Sequence, residues 1–271
     1  MARAVVLAGG KGTRLRPYTT VLPKPLMPVG DRPILDIVVR QLKRAGFERV
    51  TMATGYLAEL IEVFFRDGDK YGVSIDYFRE QEPLGTVGAL SMIEGLADAD
   101  FLVMNGDVLT DIDYAALLRE HIESGAAATI ATKTRDVRIQ LGVLVFGDGD
   151  DRSRLTGYME KPTVRYEASM GIYCFSPRVL EHIEEGETLD FPDLVLKLIA
   201  AGEVVRASPT DGYWLDIGRH DDYAKAIDQY EDLKSKLVPV FDRPPASVTA
   251  LFPDVSVADG ATQVALPPTG T

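Results

Sequence analysis

The apolar residues of this chain form short continuous runs that alternate with helical stripes. RAVVLA, from Arg3 to Ala8, is the kind of unbroken apolar run that fills a strand buried on both faces of a parallel sheet. DRPILDIVVRQLKRAG then predicts a helix, with Asp31 as its cap, Pro33 in its first turn, Leu35, Val38, Val39 and Leu42 on its apolar stripe and Gly46 as its stop. ERVTMAT and VSIDYF predict the second and third strands, with a helix over YLAELIEVFF between them. TVGALSMIEGL predicts a third helix and DFLVMNGD a fourth strand. Strands and helices alternating at this spacing predict an open α/β sheet, with its ligand beyond the carboxyl ends of the strands.

Beyond Tyr114 the rhythm changes. The helical segment YAALLREHIESG leads into AAATIAT, QLGVLVF, RLTGYMEKP and ASMGIYCF, strands close enough together to include antiparallel neighbours. Helical segments at 177–183 and 191–200 follow, and GYWLDIG with a last helix from about 221 to 233 closes the compact part. The expectation is one main domain over residues 1–237 with a mixed sheet, its second half covering the ligand cleft. Residues 238–271 form a proline-rich extension with six prolines and no helical periodicity. Disorder and a strap across the main domain or a partner are both open for it.

Composition narrows the setting. At 271 residues the chain can bury a full core, and 46% hydrophobic with 26% charged residues is ordinary for a globular protein. The single cysteine, Cys174, excludes an intrachain disulfide and a cysteine-cluster metal site. The apolar run in MARAVVLAGG is too short for a signal peptide core, and no stretch approaches the roughly 20 apolar residues of a membrane span. A cytoplasmic protein without a membrane partner is expected. The net charge of −12 argues against nucleic acid, which needs a basic surface. A local cluster of Lys11, Arg14, Arg16 and Lys24 can still attract a small anion. His121, His182 and His220 match no metal-ligand spacing and are each expected at the surface.

LAGGKGTRLRP, from Leu7 to Pro17, places glycines and basic residues directly after the first strand. A nucleoside-triphosphatase phosphate loop needs four residues between its first glycine and a Gly-Lys-Ser/Thr run, an order absent here. A dinucleotide loop needs G-x-G-x-x-G; Gly10 and Gly12 fit, but the last position is Leu15. Spacing therefore removes both common readings.

The stretch instead resembles the L-x-G-G-x-G-T-R-L signature of the sugar-1-phosphate nucleotidylyltransferases, followed by PKPLMPVG from Pro23. The resemblance continues in order through EPLGTVGAL, NGD, EKP, MGIY and DGYWLDIGRHDDYAKA, and covers residues 2–230. It implies a Rossmann-like mixed-sheet fold of the GT-A-like type. It also implies a reaction in which the phosphate oxygen of a sugar 1-phosphate attacks the α-phosphorus of a nucleoside triphosphate and pyrophosphate leaves. The expected partners are those two substrates, together with further copies of the chain.

Both substrates are anions, so such a site must neutralise charge and hold phosphates in line. By resemblance, Leu7, Ala8, Gly9, Gly10, Lys11, Gly12 and Thr13 cradle the nucleotide, Arg14 stabilises the transferring phosphate and Lys24 stands beside it. Asp107 and Asp216 are implied ligands of Mg²⁺, an ion that accepts one or two carboxylates plus phosphate oxygens. An aspartate after a strand and a glycine, like Asp107, also suits a turn cap. Lys161 and Glu160 are implied at the sugar's phosphate and hydroxyls, with Gly142 and Gly171 leaving room for the ring; Tyr213 and Trp214 suit either the sugar site or the core. Met170 departs from the asparagine or alanine of many relatives.

For the base, Glu80 takes the place where thymidylyl and uridylyl members present glutamine, with Gly85 and Thr86 lining the pocket. A carboxylate only accepts, which matches the paired N–H donors of guanine. Neighbouring Gln81 and Glu82 compete for the same position. The EPLGTVGAL run favours the mannose- and heptose-1-phosphate guanylyltransferases, and glucose-1-phosphate thymidylyl- or uridylyltransferase is the alternative. A non-catalytic, sugar-nucleotide-binding subunit is a further alternative, although such subunits lose the arginine, lysine or carboxylates that this chain keeps.

Overall fold

The computed structural model describes residues 2–147 and 153–238. Its elements run β1 (Arg3–Ala8), β2 (Pro28–Val29), β3 (Arg32–Pro33), α1 (Ile34–Arg44), β4 (Arg49–Thr54), α2 (Ala58–Phe65), β5 (Ser74–Arg79), β6 (Phe101–Asn105) and β7 (Val108–Thr110). They continue with α3 (Tyr114–Ser124), β8 (Ala128–Arg138), β9 (Val143–Phe146), β10 (Leu155–Met159), β11 (Thr163–Phe175), α4 (Phe191–Ala200), β12 (Val205–Pro209), β13 (Trp214–Asp216) and α5 (His220–Leu237). Short 3-10 turns fill several connections.

A seven-stranded sheet in the order β12-β8-β11-β6-β1-β4-β5 is the frame. β6, β1, β4 and β5 are parallel; β11 then pairs antiparallel with both β6 and β8, and β12 pairs parallel with β8. This is the Rossmann-like mixed sheet that the sequence predicts. The chain moves from β1 toward β5 on one side and then returns to place β6 on the other. The crevice of such a reversal lies at the carboxyl ends of β1 and β6.

Alternate residues of the strands feed two cores. Ala4, Val6, Leu102 and Met104 pack with Leu35, Val38 and Leu118 on one face, and Val5, Val103 and Phe175 pack with Leu194 and Leu198 on the other. Each of the valine, leucine, methionine and phenylalanine side chains among these, fully withdrawn from water, contributes about 1.5–3 kcal/mol. A third cluster, including Leu15, Ile37, Leu215 and Tyr230, clamps α5 over the loops after β1.

Several local expectations are corrected. Asp31 does not cap α1, whose N-cap is Pro33; its carboxylate accepts from the Tyr230 hydroxyl at 2.7 Å and pairs with Lys234 at 3.2 Å. The predicted third helix is only a 3-10 turn, Gly88–Met92. Its backbone is drawn to the segment before α4, with Val87 N–H donating to the Leu189 carbonyl at 3.1 Å. His121 is buried, not at the surface: Nδ1 lies 2.8 Å from Thr129 Oγ1. His220 is exposed and His182 half-buried. No helix among the described residues is long and apolar enough to cross a membrane. The expectations for the extension beyond Val238 lie outside the described residues.

Candidate active site

The glycine loop leaves the end of β1 and wraps a cavity of about 220 Å³ lined by Leu7, Ala8, Gly10, Gly12, Thr13, Arg14, Lys24, Pro25 and Asp107. Gly12 has φ +57°, and a Cβ there would meet Thr19 Cγ2 at 2.9 Å, so a side chain is excluded on two counts. Thr19 fixes the turn by donating its hydroxyl to the Gly12 carbonyl at 2.8 Å. Among the described residues, no protein acceptor takes the N–H groups of Gly10, Lys11, Gly12 or Thr13. A loop of unpaired N–H groups beside two cations suits phosphate oxygens. Lys11 is exposed on its rim.

Asp107 follows β6 and Gly106, whose N–H donates to the Leu7 carbonyl at 2.9 Å and seats the turn against β1. One Asp107 oxygen pairs with the buried Lys24 ammonium; the other, Oδ1, is buried and has no partner. Asp216 ends β13, which pairs antiparallel with β7 so that Asp216 stands opposite Val108. Ile217 N–H donates to the Asp107 carbonyl at 3.2 Å. Two carboxylates more than a hundred residues apart in sequence thus become neighbours.

Asp216 lines a second, larger cavity beside the loop; burial of its carboxylate and, after it, the charge of Asp107 raise its pKa above the usual range. Lys24 and Arg14 pull the other way. Arg14 and Asp216 flank Gly218, with Arg14 NH1 and Asp216 Oδ2 each 3.5 Å from where a Cβ would sit. Arg14, Lys24, Asp107 and Asp216 therefore form one cluster. Two facing carboxylates, one with an unpartnered buried oxygen, fit a hard divalent cation that completes its shell with phosphate and water. No group of three or more metal-type side chains occurs among the described residues.

The nucleotide candidates approach from the other side of the loop. Glu80 Oε1 lies 3.8 Å from where a Cβ of Gly9 would sit, and Oε2 accepts from Leu84 N–H at 3.4 Å. Burial raises the Glu80 pKa, against a smaller lowering by the Leu84 N–H. Gly85 lies against the Leu189 carbonyl, and Thr86 is tied twice to the start of α4. Its N–H donates to Asp190 Oδ1 at 3.0 Å, and its hydroxyl accepts from Phe191 N–H at 2.7 Å.

A larger cavity, about 500 Å³, adjoins Asp216 and includes Thr86, Asn105, Met170, Gly171, Phe191 and Trp214 in its lining. Gly171 has φ +72° at a break in the β11 ladder, and its missing Cβ would lie 2.5 Å from Asn105 Nδ2. Trp214 donates its indole N–H to the Met170 carbonyl at 3.0 Å, and the Arg135 guanidinium stacks 4.7 Å from the ring centroid. Asp190, Phe191 and Asp193 also line this cavity. Sequence reasoning missed these three; their only sequence signal is their place at the start of a predicted helix.

Other expected site residues stand elsewhere. The Tyr213 hydroxyl donates to Gln229 and its ring packs in the third core cluster, so the alternation of β13 sends Trp214, not Tyr213, to the cavity. Gly142 precedes β9 and abuts Tyr158, outside both cavities. Glu160 and Lys161 are exposed in the turn between β10 and β11, where they pair at 3.6 Å. β11 begins eight residues before Gly171, so this turn stands roughly 25 Å of extended chain away.

Fold and site together define a nucleotide-handling α/β protein with a paired-carboxylate centre. The Nucleotidyl transferase family matches residues 3–233, and the chain belongs to that family, in the branch of the sugar-1-phosphate nucleotidylyltransferases. It is 37% identical over 244 residues to a UTP--glucose-1-phosphate uridylyltransferase of Synechocystis sp., covering 83% of this chain and 62% of the relative. It is 35% identical over 249 residues to a mannose-1-phosphate guanyltransferase of Yarrowia lipolytica, covering 88% and 66%. The chain thus spans less than two thirds of the length of these curated relatives. Among solved structures, HddC from Yersinia pseudotuberculosis complexed with GMP-PN superposes with a TM-score of 0.63 at 27% identity, covering 85% of this chain and 100% of that one.

Proposed function

We propose that the chain transfers a nucleoside monophosphate from a nucleoside triphosphate, GTP, to a mannose- or heptose-type sugar 1-phosphate, giving an NDP-sugar and pyrophosphate. The observation that carries this reading is the single cluster of Asp107, Asp216, Lys24 and Arg14 at the mouth of the glycine loop. A regulatory, non-catalytic subunit has no use for all four groups gathered at one site.

In this reading the loop N–H groups and Arg14 hold the triphosphate, and the sugar-phosphate oxygen adds to the α-phosphorus from the Asp216 side. The bond from that phosphorus to the bridging oxygen breaks, and pyrophosphate leaves with the electron pair toward Arg14 and Lys24. Asp107 and Asp216 would hold Mg²⁺, which supplies charge neutralisation at the α-phosphate. Lys24 holds Asp107 in place and lines the same loop cavity, where its charge can face phosphate. Such preorganised charges need no reorientation as the transition state forms.

Guanine is supported by the Glu80 carboxylate at the loop and by the likeness to a GMP-PN complex. A uridylyl reading is kept alive by the 37% identity to a uridylyltransferase. The test is pyrophosphate release with five nucleoside triphosphates against mannose, glucose and heptose 1-phosphates. Asp107→Asn should lower turnover about 10²-fold or more through lost charge stabilisation. Release at an undiminished rate in that variant, or without any divalent ion, would refute the assignment.

A further inference from the structure

The two cavities of the active site divide the charges between them. Arg14 and Lys24 line the smaller one. The larger one has Asp190, Asp193 and Asp216 in its wall and, among the described residues, no lysine, arginine or histidine. The Arg135 guanidinium lies against the Trp214 ring but outside that lining. A ligand with phosphate at one end and hydrogen-bond donors at the other matches this division.

Asp193 is the third residue of α4, and the start of that helix is fixed in place. Two bonds tie it to Thr86, the Phe191 ring stacks 3.6 Å from that of Tyr173, and Leu194 is fully buried. Pro192, in the first turn, restricts the backbone further. Asp190 has already committed Oδ1 to the Thr86 N–H. Asp193 has no such engagement: among the described residues its carboxylate makes no ion pair and accepts no hydrogen bond. An acidic side chain in a first turn suits the helix dipole, but the dipole does not require that the residue line a cavity. A carboxylate offers only acceptors. Held on a fixed turn, it takes hydroxyl donors and repels a second anion.

Resting on the transfer reading, which seats the sugar in the larger cavity, we infer that Asp193 is a specificity-determining residue of the sugar site. Its carboxylate accepts from hydroxyls of the sugar and turns away a sugar that itself carries a carboxylate. The substrate class is therefore a neutral sugar 1-phosphate, and uronic acid 1-phosphates are rejected.

The test is calorimetric binding of GDP, GDP-mannose and GDP-mannuronate to the full chain and to its Asp193→Asn variant, a measurement that needs no turnover. The unaltered chain should hold GDP-mannose about tenfold or more tighter than GDP-mannuronate, because like charges meet in the latter complex. Asp193→Asn should weaken GDP-mannose about tenfold through the lost bond to a charged group, narrow the gap to GDP-mannuronate and leave the Kd of GDP unchanged. A merely structural role for Asp193 would move the GDP value as well, so equal losses for GDP and GDP-mannose overturn the assignment. It is also overturned by equal binding of the two sugar nucleotides to the unaltered chain, or by a variant that holds GDP-mannose as the unaltered chain does. Should GDP itself fail to bind, the guanine reading falls, and the same comparisons with UDP, UDP-glucose and UDP-glucuronate decide the role of Asp193. The expected binding pattern without any nucleotidyl transfer would sink the reaction and keep Asp193 as the group that reads the sugar.

Discussion

At the scale of single residues, the base preference rests on one carboxylate. Glu80 is half-buried against the glycine loop, and its carboxylate accepts from the N–H of Leu84. In the proposed pose its oxygens accept from guanine N1–H and N2–H₂. Glu80→Gln keeps the size and turns one acceptor into a donor facing a donor. The unsatisfied contact should cost about 1–3 kcal/mol, or roughly 5- to 150-fold in relative kcat/KM for GTP. Use of UTP and dTTP should fall less. Relative kcat/KM values for the three nucleotides on both proteins check this, and a GTP preference untouched by the substitution moves base reading to Glu82 or to backbone around Gly85.

At the scale of elements, α3 shows what the sequence made legible and what it hid. Its stripe of Tyr114, Leu117, Leu118 and His121 follows helical spacing, so the burial of His121 was written in the pattern. Residue type alone points a histidine to the surface, and the helical period points this one inward. Burial, with the nearby Arg178 charge second, lowers the His121 pKa from 6.5 to about 4. The unfolded chain therefore binds a proton between those values that the folded chain refuses, and stability falls as pH drops through that window, by up to roughly 3 kcal/mol at its acid end. His121→Gln should flatten this slope, as measured by urea midpoints at pH 7 and pH 5; an equal slope in both proteins would place the titration elsewhere. The strands β1, β4, β5 and β6 and the order of the motifs on their carboxyl ends were legible for a simpler reason, since continuous apolar runs and glycine turns are local signals. The meeting of Asp107 with Asp216 was legible only through family resemblance. The approach of Gly171 to Asn105, and of Asp190 to Thr86, depends on tertiary pairing that no spacing encodes. The 88–92 turn reads as a helix for the same reason, because its competing partners lie a hundred residues away.

At the scale of the whole molecule, the outer half of β11 pairs, among the described residues, only with β8, from Thr163 opposite Arg138 to Ser169 opposite Thr132, and its ladder breaks at Gly171 before β11 joins β6. The outer ribbon is thus an arm joined to the core through one bulge, and bulges are where strands bend. Glu160 and Lys161 lie beyond its far end, with Lys161 held at φ +46°, a left-handed conformation that a non-glycine residue adopts at some cost. If Lys161 grips the sugar's phosphate, as the family resemblance implies, the arm must bend toward Asp216 when that substrate binds. Lys161→Ala should then raise the KM for the sugar 1-phosphate about tenfold, in keeping with a lost charge-assisted contact of about 1.5 kcal/mol. The KM for the nucleoside triphosphate should change little, because the loop, Arg14 and Lys24 stand on the rigid core. Hydrogen exchange over residues 163–169 should slow when the sugar 1-phosphate is added to the unaltered chain and not when it is added to the variant. An unchanged sugar-phosphate KM would leave Lys161 as a solvated partner of Glu160, and the positive charge at that phosphate would have to come from the core, where the Arg135 guanidinium lies 4.7 Å from the centroid of the Trp214 ring in the larger cavity's wall.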